Sequence, residues 1–423
     1  MITYHKQVST IEVDVLVCGS GSAGVGAAIA AAKNGASTLV LEKNGYSGGI
    51  ITAVHNPFFD GLVDLRTKEV ICKGIAFDLY TRMGYARLTD THMPDIHQTV
   101  DPELFKLTVD RMYKQYGVKV WYHSPVIDVV TEGSRIKAVL TANKGGVYAI
   151  VPKVVIDTTG DADVAAWGGA PFEISSTPQP MTLHFRIGNV QVTEDLDEKC
   201  GEVLKRHLTG DALRTYGGPW FFSLAPDEIT INATRIIRPA LDPEQKSMGE
   251  TEGREDAWRM FELWKQELPE FKNAYFISSG PEIGVRETRR IVGDYTITLD
   301  DIIKCHTFDD AIVKGSWFVD IHPSDGSVGV HPHRNFVPVP YDIPYRTMIP
   351  QKLENVLVAG RCHSATREAL GSTRVTITAM GMGEAAGIAA RMAIQSGKPM
   401  QQIDVAKLQG ILAIQEVQQK QAI

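Results

Sequence analysis

The chain has 423 residues, with 43 Lys and Arg against 50 Asp and Glu, for a formal net charge of −7. That length fits roughly two or three domains of 100–200 residues each. A composition of 43% hydrophobic and 22% charged residues excludes a chain dominated by disorder. The mild acidity argues against nucleic-acid binding, which depends on clustered Lys and Arg. A membrane span needs about 20 mostly apolar residues. Val25–Ala32 is too short, and Thr378–Ile394 carries Glu384 and Arg391, so no membrane segment is expected. The first apolar run, Val13–Cys18, leads straight into glycines and reads as a strand rather than a leader. The five cysteines are scattered and form no CxxC pair, which suits a reducing cytoplasm.

In chain order, Val13–Cys18 has the length of a buried strand. Gly19-Ser20-Gly21-Ser22-Ala23-Gly24 follows, then a small-residue helix over Val25–Asn34 that Gly35 can end. Ser37–Leu41 is the next strand, closed by Glu42. This is a complete βαβ dinucleotide fingerprint. Its glycines permit a tight turn, close approach of a pyrophosphate and close helix–strand packing. The helix start offers N–H groups and a positive dipole. Glu42, 23 residues after Gly19, is placed to accept from an adenosine ribose. Gly19, Gly21, Ser22, Ala23, Gly24, Glu42 and Lys43 are therefore the first cofactor-binding candidates. Three features favour FAD over NAD(P): the fingerprint falls within the first 50 residues, Gly48 and Gly49 admit a longer cofactor, and matching strands recur far downstream.

Residues 61–98 are irregular, contain His92 and His97, and read as an insertion near the active site. Asp101-Pro102-Glu103 starts a helix that runs to about Tyr116 and feeds a strand over Val118–Tyr122. Residues 125–151 alternate as a β-meander, with Val126 at its start a further cofactor contact. A return strand over Val154–Asp157 runs into Thr158-Thr159-Gly160-Asp161. Residues 171–340 interleave Pro, aromatic and charged residues, with an acidic helix near Gly253–Leu268. From Tyr341 the chain carries another strand, Asn355–Arg361, then Gly371-Ser372 and a long small-residue helix from Thr378. The expected organisation is 1–170, 171–340 and 341–423, the first and third parts forming one domain.

On these residues the chain resembles the glutathione-reductase-type flavoproteins, and most closely the bacterial FAD-dependent oxidoreductases. The resemblance is carried by Gly19–Gly24 with Gly48-Gly49, Val154–Asp161, Gly284–Ile291 and Ala359–Ala390. It implies an α/β fold: a Rossmann-like FAD-binding domain of glutathione-reductase type built from separated segments, with an inserted α+β substrate or cap domain. It also implies a bound FAD and a redox reaction; the FAD is expected to be non-covalent. Thr159, Gly160, Asp161, Gly360, Arg361, Gly371 and Ser372 would then lie along the flavin. Many such flavoproteins have Gly-Asp where this chain has Gly360-Arg361, which puts the ribityl contact in question.

The candidate catalytic residues are His363, Arg286, His333 and Arg346. His363, next to the return strand, has a side chain suited to proton transfer near the ring. Arg286 or Arg346 would orient an anionic or hydroxyl-rich group. Arg286 and Arg290 are i, i+4 if Gly284–Ile291 is helical; the alternative is an Arg–Glu lattice with Glu282 and Glu287. Arg374 pairs with substrate or with Glu368. His331-Pro332-His333 with His322 suits a pocket better than a metal, since two further ligands are not evident, and no metal is expected. Cys362 reads as packing, and His55 is the residue a covalent flavin link would use.

A single fingerprint and no redox Cys pair after Gly49 exclude a disulfide reductase. The expected function is hydride transfer between a small polar organic metabolite and FAD, with a separate electron donor or acceptor. The alternatives are a flavin monooxygenase, a flavoprotein like the tRNA-modifying ones, or a non-catalytic FAD-holding subunit. No nucleic-acid or membrane partner is expected, and homo-oligomerisation is left open.

Overall fold

The computed structural model describes residues 7–208, 220–323 and 336–421. The first part contains β1 (Ser9–Cys18), α1 (Ser22–Lys33), β2 (Thr38–Leu41), α2 (Ile75–Arg82), α3 (Pro102–Tyr116), β3 (Lys119–Trp121), β4 (Val126–Glu132), β5 (Arg135–Asn143), β6 (Gly146–Asp157) and α4 (Asp163–Trp167). The middle contains β7 (Phe172–Ile174), β8 (Phe185–Gly188), α5 (Leu196–His207), β9 (Trp220–Ala225), β10 (Glu228–Asn232), α6 (Pro243–Glu267), β11 (Tyr275–Ser279), β12 (Arg289–Ile291), α7 (Leu299–Ile303) and β13 (Ala311–Gly315). The last part contains β14 (Tyr341–Pro344), β15 (Val356–Val358), α8 (Arg367–Thr373), α9 (Thr376–Ser396) and α10 (Val405–Gln421).

Five strands form a parallel sheet in the order β3-β2-β1-β6-β15. Val15–Cys18 of β1 is fully buried because helices cover one face and the meander side covers the other. β4 and β5 add antiparallel to the first half of β6. The meander's last strand and the return strand are thus one 12-residue strand, not two. Pro152 made the sequence look broken there. β5 leaves β6 after Ile150 and β15 joins only at Val155, so the missing N–H of Pro152 falls in the gap between them.

The helix ends follow their local chemistry. Asp101 caps α3 by accepting from Glu103 N (2.8 Å), Pro102 fills the first turn, and Gly117 ends it with φ of +73°. Asp242 does the same for α6 through Gln245 N (2.9 Å), so this helix starts at Pro243, earlier than its acidic run suggested. Residues 61–98 contain α2 and are anchored rather than loose: Ile75 N donates to the buried Glu384 of α9 at 2.9 Å.

The buried residues form three clusters. Two flank the parallel sheet, one holding α1 and α9 and the other α4. The third is confined to Met181–Ile283 and lies between α5, α6 and a four-stranded antiparallel sheet, β11-β8-β10-β9. Leu183, Phe185 and Ile187 point into that third core. The alternation extends into the residues before β8, so Thr182, His184 and Arg186 turn away from that core. Phe222 of β9 meets Phe58 edge-on, with ring centroids 3.8 Å apart, on the side of the nucleotide fold. Among the described residues no helix is long and apolar enough to cross a membrane.

Candidate functional site

α1 is a helix prepared for an anion. Its N-cap is Gly21, no side chain caps its first N–H groups, and its first turn carries no acid. A protein helix with no ligand there would leave these donors to water. Gly24 must be glycine, because a Cβ would lie 2.0 Å from the carbonyl oxygen of Gly19. Gly21 is different: a Cβ there would meet only the Cα of Gly49 at 3.9 Å, so space lies in front of the helix. Gly48 N donates to Ser20 O at 2.7 Å and brings the second glycine loop against the first. Beneath them Ser20 Oγ sits 2.7 Å from both Ser47 Oγ and Tyr113 OH, which fixes the loop on α3.

Glu42 is buried, and its carboxylate accepts from Ser20 N (2.7 Å) and Asn44 N (2.8 Å). Burial raises its pKa, partly offset by these donors. It closes the first loop while keeping lone pairs for a ribose. Lys43 instead pairs with Glu282. Lys246 joins the same carboxylate at 3.1 Å. Burial pushes Glu282 up, and the two ammonium groups outweigh it and hold it at about 2. Val126 begins β4, two residues beyond Ser124, whose N–H donates to Glu42 O at 2.8 Å.

The loop after β6 is tied down by side chains. Thr159 Oγ1 donates to the fully buried Asp157 at 2.7 Å, which also accepts from Ala165 N at 3.0 Å. Arg361 donates to Gly160 O (2.7 Å), to Asp161 Oδ1 (2.7 Å) and to Val285 O. The departure from Gly-Asp thus has a structural account. Gly360 brings the end of β15 against Ala23 of α1, and Arg361 clamps the loop after β6 to Val285. Arg289 reinforces the clamp through Asp161 O and Asp163.

Several sequence expectations change. Gly284–Ile291 is extended and ends in β12, so Arg286 and Arg290 are not helical neighbours. Arg290 and Arg367 both reach the buried Glu287, while Arg286 turns elsewhere. Gly371 and Ser372 end the short helix α8 instead of leading into α9. The Ser372 hydroxyl donates to Trp317 O and meets Tyr341 OH, both at 2.7 Å, which ties α8 to β14. His363 is sealed in the core with Nε2 2.8 Å from Thr373 Oγ1. Burial, with Arg290 nearby, lowers it to about 3, so it is neutral and shielded from bulk proton exchange. Arg346 points to Asp310 at 2.9 Å and lies over the Tyr295 ring, not toward the glycine loops. Arg374 pairs with Asp320, not Glu368. Burial pushes the Cys362 thiol up, in keeping with packing. His331 and His333 lie outside the described residues.

The structure brings together a set that local sequence signals did not show. Beside the four-stranded sheet, where it meets the nucleotide fold, Arg235, Arg286, His184, Asp320, His322 and Arg374 lie within electrostatic reach of one another, with His55 on the loop after Gly49 next to His184. Thr182 Oγ1 accepts from both Arg286 (2.8 Å) and Arg235 (3.0 Å). Burial and Arg186 lower His55 to about 4. Nearby, His97 Nδ1 lies 3.2 Å from the buried Asp60, and its ring meets Trp317. Burial raises Asp60 to about 6, and Asp60 in turn outweighs burial and raises His97. The readable signal was the alternation Met181-Thr182-Leu183-His184-Phe185-Arg186.

A parallel sheet with a glycine loop opening onto a bare helix start defines a dinucleotide-binding protein. The chain belongs to the FAD dependent oxidoreductase family, whose model matches residues 14–412, and its cofactor is FAD. The open space before α1, its uncapped donors and Glu42 fit that group. The chain is similar to 4-oxocyclohex-2-ene-1-carboxylate 5-dehydrogenase from Sinomonas cyclohexanicum, 41% identical over 95 residues (20% of this chain, 16% of the relative). It is also similar to digeranylgeranylglycerophospholipid reductase from Picrophilus torridus, 24% identical over 196 residues (44% of this chain, 49% of the relative). The matched stretches thus span half or less of these curated relatives. A geranylgeranyl bacteriochlorophyll reductase-like structure from Thermoplasma acidophilum superposes with a TM-score of 0.50 at 14% identity, covering 97% of this chain and 88% of that one. That likeness shows a shared fold.

Proposed function

We propose that this protein is an FAD-dependent dehydrogenase or reductase in which a small polar organic substrate lies between the nucleotide fold and the four-stranded sheet. The observation that carries this reading is the polar set beside the four-stranded sheet, Thr182 and His184 on the segment leading into β8 with Arg235 and Arg286, which lies outside the third core and next to Val54 and His55 of the loop after Gly49. The confinement of the third core to Met181–Ile283 supports a substrate-facing unit shorter than 171–340.

Bound FAD supplies the two-electron chemistry. Gly19–Gly24 and the start of α1 hold the pyrophosphate, Glu42 the ribose, and the tied loop Thr159–Asp161 keeps the neighbouring strand ends rigid. Gly360, Gly48 and Gly49 let backbone approach the cofactor. Arg286 orients the substrate. His97, oriented by Asp60, holds the proton that leaves or joins the substrate, a role its raised pKa suits better than the sealed His363. A thiol relay has no support: Cys18, Cys200 and Cys362 are buried, and burial pushes all three thiols up.

The test is anaerobic. The purified flavoprotein is mixed with small hydroxy acids, saturated and unsaturated acids, sugars and amino acids while flavin absorbance is followed. Stoichiometric bleaching by one class, or reoxidation of chemically reduced flavin by one class, is the expected result. A flavin reduced by NAD(P)H only in the presence of a substrate that is then hydroxylated by oxygen would replace this reading with a monooxygenase.

A further inference from the structure

We infer that the recess between the nucleotide fold and the four-stranded sheet is a carboxylate seat, in which Arg286 and Arg374 receive an acid group of the substrate against a backing of Arg235 and His184. The inference rests on the redox reading only in taking the bound acid to be the substrate.

The first support is charge. Arg286 hydrogen-bonds neutral acceptors, Pro180 O and Thr182 Oγ1, and has no carboxylate partner among the described residues. Arg235, behind it, donates to Thr182 Oγ1, Asn232 Oδ1 and Thr234 O. Arg374 does have an acid, donating to Asp320 O (2.9 Å) and Oδ2 (3.3 Å). Asp320 also lies 3.4 Å from His322 Nε2. Among the described residues, Arg286 and Arg374 therefore have Asp320 as their nearest carboxylate, and only Arg374 bonds it. The next acid, Glu287, is already engaged by Arg290 and Arg367. An uncompensated buried guanidinium is costly, and an anion entering the site would offset that cost. The electrostatics agree: burial and the neighbouring Arg235 and Arg374 lower Arg286 well below its ordinary value. Burial raises Asp320, and His322, Arg374 and Arg286 outweigh it and hold it well below the usual carboxylate range.

The second support is shape and unmet hydrogen bonding. The Asp320 side chain keeps 31% of its surface and Arg374 13%, although both lie deep between the two cores, so they line a recess rather than a packed interior. His184 is 3% exposed, and neither ring nitrogen has a hydrogen-bond partner. Burial followed by Arg286 lowers its pKa well below the ordinary value, so the ring is neutral and offers one donor and one acceptor. Gln179 Nε2 and His55 Nδ1 are likewise buried without partners. Buried polar atoms are usually satisfied, and a group of them around one recess marks where a ligand completes the bonding. The planar fork of Arg286 matches a planar two-oxygen acid.

The test uses the FAD-loaded protein. Succinate and benzoate are titrated against succinamide, benzamide and inorganic phosphate, followed by the visible flavin band and by calorimetry. The seat predicts saturable binding of the acids, with the amides roughly tenfold or more weaker, the scale of one charge-assisted hydrogen bond. Arg286→Gln brings the acids down to the level of the amides with FAD content unchanged, and Arg286→Lys, which keeps the charge, restores part of the difference. Equal binding of acids and amides, wild-type acid affinity in Arg286→Gln, phosphate outcompeting both acids, or no binding at all would each overturn the seat. The two readings separate cleanly. Acids that bind while no substrate exchanges electrons with the flavin leave the seat and remove the dehydrogenase. An uncharged substrate that bleaches the flavin unhindered by either acid does the reverse.

Discussion

Gly21→Asp is expected to abolish FAD binding while leaving the apoprotein as stable as the parent, or slightly more so. Gly21 is the N-cap of α1, with extended backbone (φ −72°, ψ −170°) that any residue adopts. A Cβ has room there. Asp is among the best N-caps, and its carboxylate would accept from the free N–H groups of the first turn, a gain of a few tenths of a kcal/mol up to about 1 over glycine. The same carboxylate would sit where the pyrophosphate must sit and repel it. Losing about two charge-assisted hydrogen bonds at roughly 1.5–3 kcal/mol each corresponds to at least a hundredfold loss of affinity. The check is paired: flavin absorbance per protein after incubation with FAD, and thermal unfolding of the flavin-free form. Wild-type flavin content in Gly21→Asp would remove the pyrophosphate from this loop.

Gly383→Ala is expected to do the opposite, losing the fold and the flavin together. α9 crosses α1 in backbone contact. A Cβ on Gly383 would lie 1.9 Å from the carbonyl oxygen of Ala23, an atom fixed within α1 that cannot rotate away. A Cβ on Gly26 or Gly387 would likewise clash, at 2.3 Å from Met380 O and 2.4 Å from Ala27 O, so no slide of α9 relieves the clash without creating another. Overpacking usually costs ~1–3 kcal/mol, and a rigid backbone partner places this case at or beyond the upper end. Pushing α1 also moves the helix start that holds the phosphates. Denaturant unfolding with a normal midpoint, or normal flavin content in a folded Gly383→Ala, would contradict this packing.

These two glycines also show what the sequence made legible. Gly19–Gly24, the following helix and Glu42 are contiguous, and each obeys a local rule, so the nucleotide fold could be read directly. Asp101, Pro102 and Gly117 set α3 for the same reason. Local rules failed where meaning came from partners distant in sequence. Pro152 reads as a break, yet it lies in a continuous strand because no neighbour needs its N–H. The arginines of Gly284–Ile291 read as a helical row, but the segment is extended and splits them: Arg289 to Asp163, Arg290 to Glu287 and Ala365 O, Arg286 to Thr182. His363 looked poised by its position beside the return strand, and only its burial shows it to be sealed. The recess draws on residues 55, 184, 235, 286, 320 and 374, so no window of the sequence contained it. Only the alternation of Thr182, His184 and Arg186 with Leu183, Phe185 and Ile187 hinted that one sheet face was reserved for polar contacts.

In the proposed reading, the reacting end of the cofactor meets the substrate between the nucleotide fold and the four-stranded sheet. A crystal structure of the FAD-loaded protein tests it most directly. The adenosine is expected beside Glu42, the pyrophosphate at the start of α1, and the isoalloxazine ring at the recess lined by His55, Arg286 and Asp320, with His184 behind it. An isoalloxazine ring lying on any other face, with that recess closed by side chains, would contradict it.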